Sequence, residues 1–180
     1  HMFYRAENEI AETAQYYDPE RIFDVLDCYA KLGRPVQITE LTIPAYRYAP
    51  EDEELQAEIL KNLYRMWFSH PAMEAILYWN LVDGFAAFAP QNDMTAGENY
   101  YHGGLVRYDF TPKPSYHVLK ELFGKTWRTN LSLDSADASE LMFKGFYGEY
   151  ELDVTTGDKT VTKTFHLDKQ HKNELDIVIP

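Results

Sequence analysis

The segment Pro35-Val36-Gln37-Ile38-Thr39-Glu40-Leu41 has the composition of a short buried strand that ends on a carboxylate. Its β-branched residues alternate with polar ones, and Gly33 and Pro35 mark its start. In enzymes built on parallel strands, catalytic groups are held at the carboxyl ends of the strands. Glu40 is therefore the candidate catalytic residue from which we interpret the rest of the chain.

Size and charge limit the classes of protein to which the chain can belong. It has 180 residues, enough for one large or two small domains, and its 45% hydrophobic content is ordinary for a folded protein. The formal net charge of −12 argues against nucleic acid or an anionic membrane as the main partner. No apolar run is long enough to span a bilayer and no signal peptide is visible, so the location stays open between secreted and cytoplasmic.

Aromatic residues are abundant, with 14 Tyr, 10 Phe and 3 Trp. Most are expected to pack in a core, and a minority could form stacking platforms for sugar rings. The single cysteine, Cys28, excludes an intrachain disulfide. The sequence has no metal-ligand spacing, phosphate loop or serine elbow, so it predicts no cofactor.

Helical and strand patterns alternate in the first part of the chain. Asp-Pro-Glu at residues 18–20 predicts a helix start, because the aspartate can cap and the proline fits the first turn. Four acidic residues at 51–54 predict a second helix start, and residues 75–79 have the composition of a second buried strand. The predicted apolar stripes are Ile22, Val25, Leu26, Tyr29 and Leu32 in the first helix and Leu55, Ile59, Leu63, Met66 and Trp67 in the second.

Residues 80–101 lack periodicity, which in compact domains is usual for a functional loop, and residues 111–114 predict a third helix start.

The pattern changes after Trp127. Beyond a linker-like stretch, period-2 alternation predicts an antiparallel module of about four strands. Its hairpin turn falls at residues 155–158 and its last strand runs through Leu175, Ile177 and Ile179. We expect two domains, at residues 1–127 and 128–180, the second of them β-sandwich-like.

Three segments, in chain order, resemble the C-terminal third of glycoside hydrolase family 10, the endo-β-1,4-xylanase type. They are VQITEL at 36–41, YWNLVDG at 78–84, and GLVRYD at 104–109 leading into PKPSY at 112–116. The resemblance covers roughly residues 1–125 and implies the last two to three βα units of a TIM barrel. The expected fold class is therefore α/β, a partial (β/α) barrel segment followed by the small antiparallel β module.

The resemblance also implies roles for single residues. Glu40 matches the family's nucleophile on the seventh barrel strand, and Trp79 matches the tryptophan of the eighth strand, which floors the sugar site. Asn80 and Phe85 follow as further substrate-binding candidates. His1 fits the histidine that the sixth strand carries near the nucleophile, and a cloning scar explains it equally well.

The chain departs from the family pattern at several positions. The family's acid/base glutamate lies on the fourth strand and has no counterpart in this sequence, whereas retaining glycosidases need two carboxyl groups about 5–5.5 Å apart. Asp83 is the nearest other acid by position and fits a structural role better than a catalytic one. Thr42 stands where the family often has an aspartate, and Phe85 and Phe88 stand where it has a second tryptophan.

Two functions of different classes follow. The first is a retaining glycoside hydrolase of xylan-like β-1,4-glycan, or a fragment of one, with Glu40 as nucleophile. The second is a catalytically inert carbohydrate-binding or accessory fragment, with Phe146, Tyr147 and Tyr150 as a candidate aromatic face. A different hydrolysis, such as of esters, has no residue in its favour. Because two or three parallel strands leave unpaired edges, we expect self-association or a missing N-terminal barrel fragment as partner.

Overall fold

The computed structural model describes residues 13–45, 49–134 and 140–178. The chain divides into two compact units, residues 1–122 and 123–180. The helices and strands of the first unit are α1 (Pro19–Ala30), β1 (Val36–Leu41), α2 (Pro50–Ser69), β2 (Met73–Tyr78) and α3 (Pro114–Glu121). Short 3-10 helices span Ala14–Tyr16 and Gly97–Tyr101, and a π-helical turn, Leu122–Thr126, follows α3.

β1 and β2 form a parallel pair, and α2 makes the crossover that a parallel pair requires. Leu41 lies opposite Tyr78, and the backbone amide of Trp79 donates to the carbonyl of Leu41 at 2.7 Å. Both strands therefore end at the same edge, where the residues that follow them meet. In the described residues this is one β–α–β unit with a two-stranded sheet, not a closed barrel.

The start of α1 confirms the capping prediction. The Asp18 carboxylate accepts a hydrogen bond from the Glu20 amide at 3.0 Å, and Pro19 occupies the first turn. The predicted apolar stripe is only partly buried, because only a narrow face of α1 packs against the rest of the unit. Ile22 and Leu26 are buried, and Val25, Tyr29 and Leu32 are exposed.

The buried face of α2 differs from the predicted stripe. The buried side chains are Asp52, Glu53, Gln56, Ala57, Leu60, Leu63, Tyr64 and Trp67. They recur three and four residues apart and so share one face, whereas Leu55 is 46% exposed. The prediction is correct for Leu63 and Trp67, but the periodicity of apolar residues did not reveal the buried polar residues of this face. Glu53 and Gln56 are buried, and hydrogen bonds to Arg107 and Ser115 offset the cost.

The second unit is built on an antiparallel hairpin of β3 (Gly148–Thr156) and β4 (Lys159–Leu167) with nine paired positions. The two residues between the strands include Gly157 at φ +58°, in agreement with the predicted turn. Residues 172–178, where the last strand was predicted, contain no strand. In the part of this unit that the structure describes, the sheet has two strands instead of about four, and a sandwich stays a prediction.

Aromatic side chains pack on one face of this hairpin. Tyr150 stacks on Phe165 with ring centroids 5.2 Å apart, and Phe143 lies 5.8 Å from Tyr150. The Tyr150 hydroxyl is 2.7 Å from the Phe146 carbonyl, which fixes the ring further. Tyr150 therefore belongs to the packing of the unit and not to an open platform, while Tyr147 is 65% exposed.

Candidate functional site

A shallow cleft lies at the edge where β1 and β2 end, and the roughly 260 Å³ of empty space between its lining atoms includes open solvent. It is lined by Thr42, Trp79, Asn80, Asp83, Gly84, Ala86, Glu98, Asn99 and Gly103. The lining comes from the residue after β1, the loop after β2 and the 3-10 helix Gly97–Tyr101. This edge is where the sequence predicted the functional groups.

Trp79 follows β2 directly and is 37% exposed. Its indole Nε1 donates to Oε2 of Glu98 at 2.7 Å, and its backbone carbonyl accepts from the hydroxyl of Thr42. The peptide bond between Trp79 and Asn80 is cis. The bond to Glu98 therefore restrains the orientation of the ring, and the bond from Thr42 holds the backbone that carries it.

The other predicted substrate-binding residues lie in different surroundings. Asn80 lines the cleft next to Trp79. Phe85 stacks on Tyr108, with ring centroids 5.1 Å apart and an interplanar angle of 20°, and tilts against Phe110 at 6.3 Å. The Phe85 ring is thus engaged in an aromatic cluster of its own.

Glu40 is exposed in the C-terminal part of β1, two residues before Thr42 of the cleft lining. The parallel pairing brings the end of its strand beside the end of β2. His1 lies outside the described residues. The assignment of Glu40 as a nucleophile therefore stays a prediction, as do the sugar-binding roles of Trp79, Asn80, Phe85 and His1.

A buried ion pair supports the cleft. Oδ2 of Asp83 lies 2.6 Å from Nζ of Lys113, and both side chains are 0% exposed. Oδ1 of Asp83 accepts from the Gly104 amide, and Nζ of Lys113 donates to the His102 carbonyl, both at 2.7 Å. Burial raises the pKa of Asp83 and lowers the pKa of Lys113, while their mutual attraction opposes both shifts. Asp83 therefore helps to hold residues 102–104 in place, directly at Gly104 and through Lys113 at His102.

Hydrogen bonds from α2 and β2 also reach residues 102–104. Nε2 of Gln56 donates to the carbonyls of Ile43 at 2.7 Å and Gly103 at 3.2 Å, and its Oε1 accepts from Ser115 at 3.0 Å. The hydroxyl of Tyr78 donates to the Gly103 carbonyl at 2.7 Å, and burial raises the pKa of Tyr78. Helices α2 and α3 and strand β2 are thus joined at one loop.

Three residues that shape the site were not predicted: Gln56, Glu98 and Lys113. The sequence shows Lys113 between two prolines, an unusual place for a solvated lysine, but it does not show the partner. Glu98 lies in the loop that was expected to be functional, and no spacing rule connects it to Trp79.

His102 predicts a pH dependence of stability. Its backbone is left-handed at φ +46° and its side chain is 9% exposed. Burial, reinforced by the charge of Lys113, lowers the pKa of His102 from 6.5 to about 4. The folded state binds the second imidazole proton of His102 more weakly than the unfolded chain does. The contribution of neutral His102 to the stability of the fold is therefore complete above pH 6.5 and is lost as the pH falls towards 4.

As the pH falls from 6.5 towards 4, we expect the protonation of His102 to reduce the free energy of unfolding by up to about 3 kcal/mol. His102→Asn should flatten the dependence, because asparagine tolerates the left-handed backbone and does not titrate. Urea unfolding at several pH values measures both slopes. Carboxylates titrate in the same range, so the difference between the two proteins is decisive, and equal slopes would contradict the assignment.

Across residues 13–45, 49–134 and 140–178, no group of three His, Cys, Asp or Glu side chains is placed to hold a metal ion. In the same ranges, none of the helices has the length and apolar character needed to cross a membrane.

No family profile matches the chain. The anti-sigma-I factor RsgI6 of Acetivibrio thermocellus is 30% identical over 135 residues, which cover 75% of this chain and 16% of that protein. Endo-1,4-beta-xylanase 3 of Arabidopsis thaliana is 26% identical over 149 residues, 82% of this chain and 17% of the xylanase. Endo-1,4-beta-xylanase 2 of the same plant is 23% identical over 154 residues, 86% of this chain and 13% of that protein. The chain thus spans 13–17% of the length of these relatives.

A solved structure shows the same relationship. Xylanase 10B from Thermotoga petrophila RKU-1, determined in complex with xylobiose, superposes with a TM-score of 0.50 at 26% sequence identity. The match covers 61% of this chain and 32% of the xylanase. Together, the sequence and structural similarities support a glycoside hydrolase-like segment related to the xylanases of family 10.

Proposed function

We propose that the chain carries the nucleophile strand and the sugar platform of a retaining glycoside hydrolase acting on xylan-like β-1,4-glycans. The parallel pairing of β1 with β2 is the observation that carries the proposal, because the strand of Glu40 ends beside Trp79. A carboxylate near an aromatic surface suits attack on the anomeric carbon of a stacked sugar. The similarity to xylanases, one of them a xylobiose complex, supports the substrate class.

In this mechanism the Glu40 carboxylate attacks the anomeric carbon while the bond to the leaving oxygen breaks, and a glycosyl ester forms on Glu40. Water then hydrolyses the ester and regenerates the carboxylate. Trp79 stacks on the sugar ring, and the amide of Asn80 hydrogen-bonds a hydroxyl. Asp83 is held by Lys113, so we assign the acid/base carboxyl to a barrel segment that is not contained in residues 1–180.

Covalent trapping tests this assignment. A 2-deoxy-2-fluoro-xylobioside with a dinitrophenolate leaving group needs no protonation to react, so a nucleophile alone suffices. We expect the intact mass to rise by one fluoroxylobiosyl group and peptide mapping to find that group on Glu40. Glu54→Gln, which changes an exposed glutamate on α2, should label like the unchanged protein. Absence of the label, or a label elsewhere, would contradict the role of Glu40.

One comparison favours a second function. The relative that is 30% identical is named as an anti-sigma factor and not as a hydrolase. As the alternative, we propose that the cleft binds carbohydrate without cleaving it, as an accessory part of a regulatory protein. Binding of xylotriose without covalent trapping would favour this alternative.

A further inference from the structure

We infer that Glu98 is a positioning residue for the sugar platform, because its bond to the indole of Trp79 holds the ring in the orientation that stacks on a sugar. The inference rests on the proposed function, since a fixed ring matters to binding only if the ring contacts the glycan. Two observations carry it. Nε1 of Trp79 donates to Oε2 of Glu98 at 2.7 Å, and the 3-10 helix that bears Glu98 is anchored by its next residue.

The backbone of Trp79 is fixed independently of Glu98. Its amide donates to the carbonyl of Leu41 at 2.7 Å, and its carbonyl accepts from the hydroxyl of Thr42. These bonds leave the two side-chain torsions open, and the torsion that turns the ring has broad minima. The ring is 37% exposed, so packing constrains it over only part of its surface. The bond from Nε1, the polar atom of the ring, therefore adds a restraint on its orientation.

The element that supplies the acceptor is itself held in place. Oδ1 of the buried Asn99 accepts from the Ala86 amide at 2.9 Å, and its Nδ2 donates to the carbonyls of Pro90 and Asp93, both at 3.1 Å. The 3-10 helix that carries Glu98 is therefore joined to the loop after β2. A carboxylate also forms a stronger bond to an N–H group than a neutral acceptor does. The indole is thus connected to an element that the loop anchors.

A platform that is already oriented binds a sugar more tightly than one that must be ordered on binding. Immobilising a side chain with several rotamers costs an amount that corresponds to roughly twofold to tenfold in affinity. Without the carboxylate, the Trp79 ring would sample other orientations, and the sugar would bind only the fraction that is ready to stack. The role of Glu98 therefore requires no contact between its carboxylate and the sugar.

Titration with xylotriose, followed by the backbone amide signals of the cleft in a nitrogen–proton NMR spectrum, tests this role. We expect Glu98→Ala to weaken binding about fivefold and Glu98→Gln, which keeps an acceptor for the indole, to weaken it by less than about twofold. The indole N–H signal of Trp79, assigned by its loss in Trp79→Phe, should move upfield in Glu98→Ala and less so in Glu98→Gln. Glu54→Ala removes an exposed glutamate from α2 and should change neither quantity.

A double-mutant cycle distinguishes positioning from direct contact with the sugar. Trp79→Phe keeps a stacking face but has no N–H group to bond. In this background Glu98→Ala should therefore change the affinity for xylotriose by less than about twofold. A further loss of about fivefold would mean that the carboxylate contacts the sugar itself, and it would overturn the positioning role.

The remaining outcomes separate this inference from the function on which it rests. If xylotriose binds and Glu98→Ala keeps both the affinity and the indole signal of the unchanged protein, the positioning role is wrong and the sugar site stands. If xylotriose shifts no signal of the cleft in the unchanged protein or in any variant, both the sugar site and the role of Glu98 are overturned.

Discussion

Glu40→Gln is expected to lower kcat/KM for an activated aryl xylobioside by at least ~10³-fold, because the amide cannot form the glycosyl ester. Glutamine has nearly the same shape, and Glu40 lies two residues before the cleft lining, so the affinity for xylotriose should change by less than about twofold. Initial rates measure the first quantity, and a titration with xylotriose followed by the indole N–H signals of the tryptophans in an NMR spectrum measures the second. A variant that keeps its rate would exclude Glu40 as nucleophile.

The choice of leaving group adds a second contrast. A dinitrophenolate departs without a proton, whereas a sugar or an alkoxide needs a general acid that is not assigned in the described residues. We therefore expect the chain alone to prefer activated aryl glycosides strongly over xylo-oligosaccharides. Comparable rates on both substrates would indicate that a second carboxyl is in place, and Glu54→Gln again serves as the control for the loss of an exposed charge.

Lys113→Met is expected to lower the free energy of unfolding of the first unit by about 3–5 kcal/mol, because it leaves the Asp83 carboxylate buried without its counter-charge. The substitution also removes the donor to the His102 carbonyl. Urea unfolding followed by fluorescence of the buried Trp67 measures the change in this unit. Lys120→Met, at an exposed position of α3, the helix that Lys113 precedes, should change the free energy by less than about 0.5 kcal/mol.

The double variant Asp83→Asn with Lys113→Met identifies the cause of that loss. Asparagine keeps an oxygen for the Gly104 amide but carries no charge, so no buried ion remains unpaired. We expect it to regain most of the stability that the single lysine change removes. A double variant that is less stable than Lys113→Met would attribute the loss to packing and not to charge.

Local signals in the sequence were enough to predict the order and the approximate bounds of the helices and strands in the first unit. The strand at Val36–Leu41 coincides with the predicted segment, and the second strand, Met73–Tyr78, overlaps the prediction at 75–79. Prolines, a capping aspartate and β-branched runs act over a few residues, so they can be recognised without knowledge of the fold. The order of helix and strand followed from them.

The interior of the site depends on contacts between residues far apart in the chain, and these could not be predicted. Asp83 and Lys113 are 30 positions apart, and although the two prolines beside Lys113 are unusual for a solvated lysine, nothing in either neighbourhood indicates the other residue as its partner. Gln56 was not predicted for the same reason, since burial of an amide is favourable only when partners from other elements reach it. Hydrophobic periodicity predicts the apolar faces of helices and strands, and it does not detect buried networks of polar residues.

The joining of α2, α3 and β2 at residues 102–104 has a consequence for the dynamics of the cleft. Residues 102–104 form one wall of the cleft and accept hydrogen bonds from Gln56, Tyr78 and Lys113. This wall cannot open by the fraying of a single element, because each hydrogen bond comes from a different part of the chain. Local opening of this wall would have to break the buried networks together, so the wall and the core around α2 belong to one cooperative unit. The cleft should therefore meet its ligand already shaped, and little of the binding energy would be spent on ordering it.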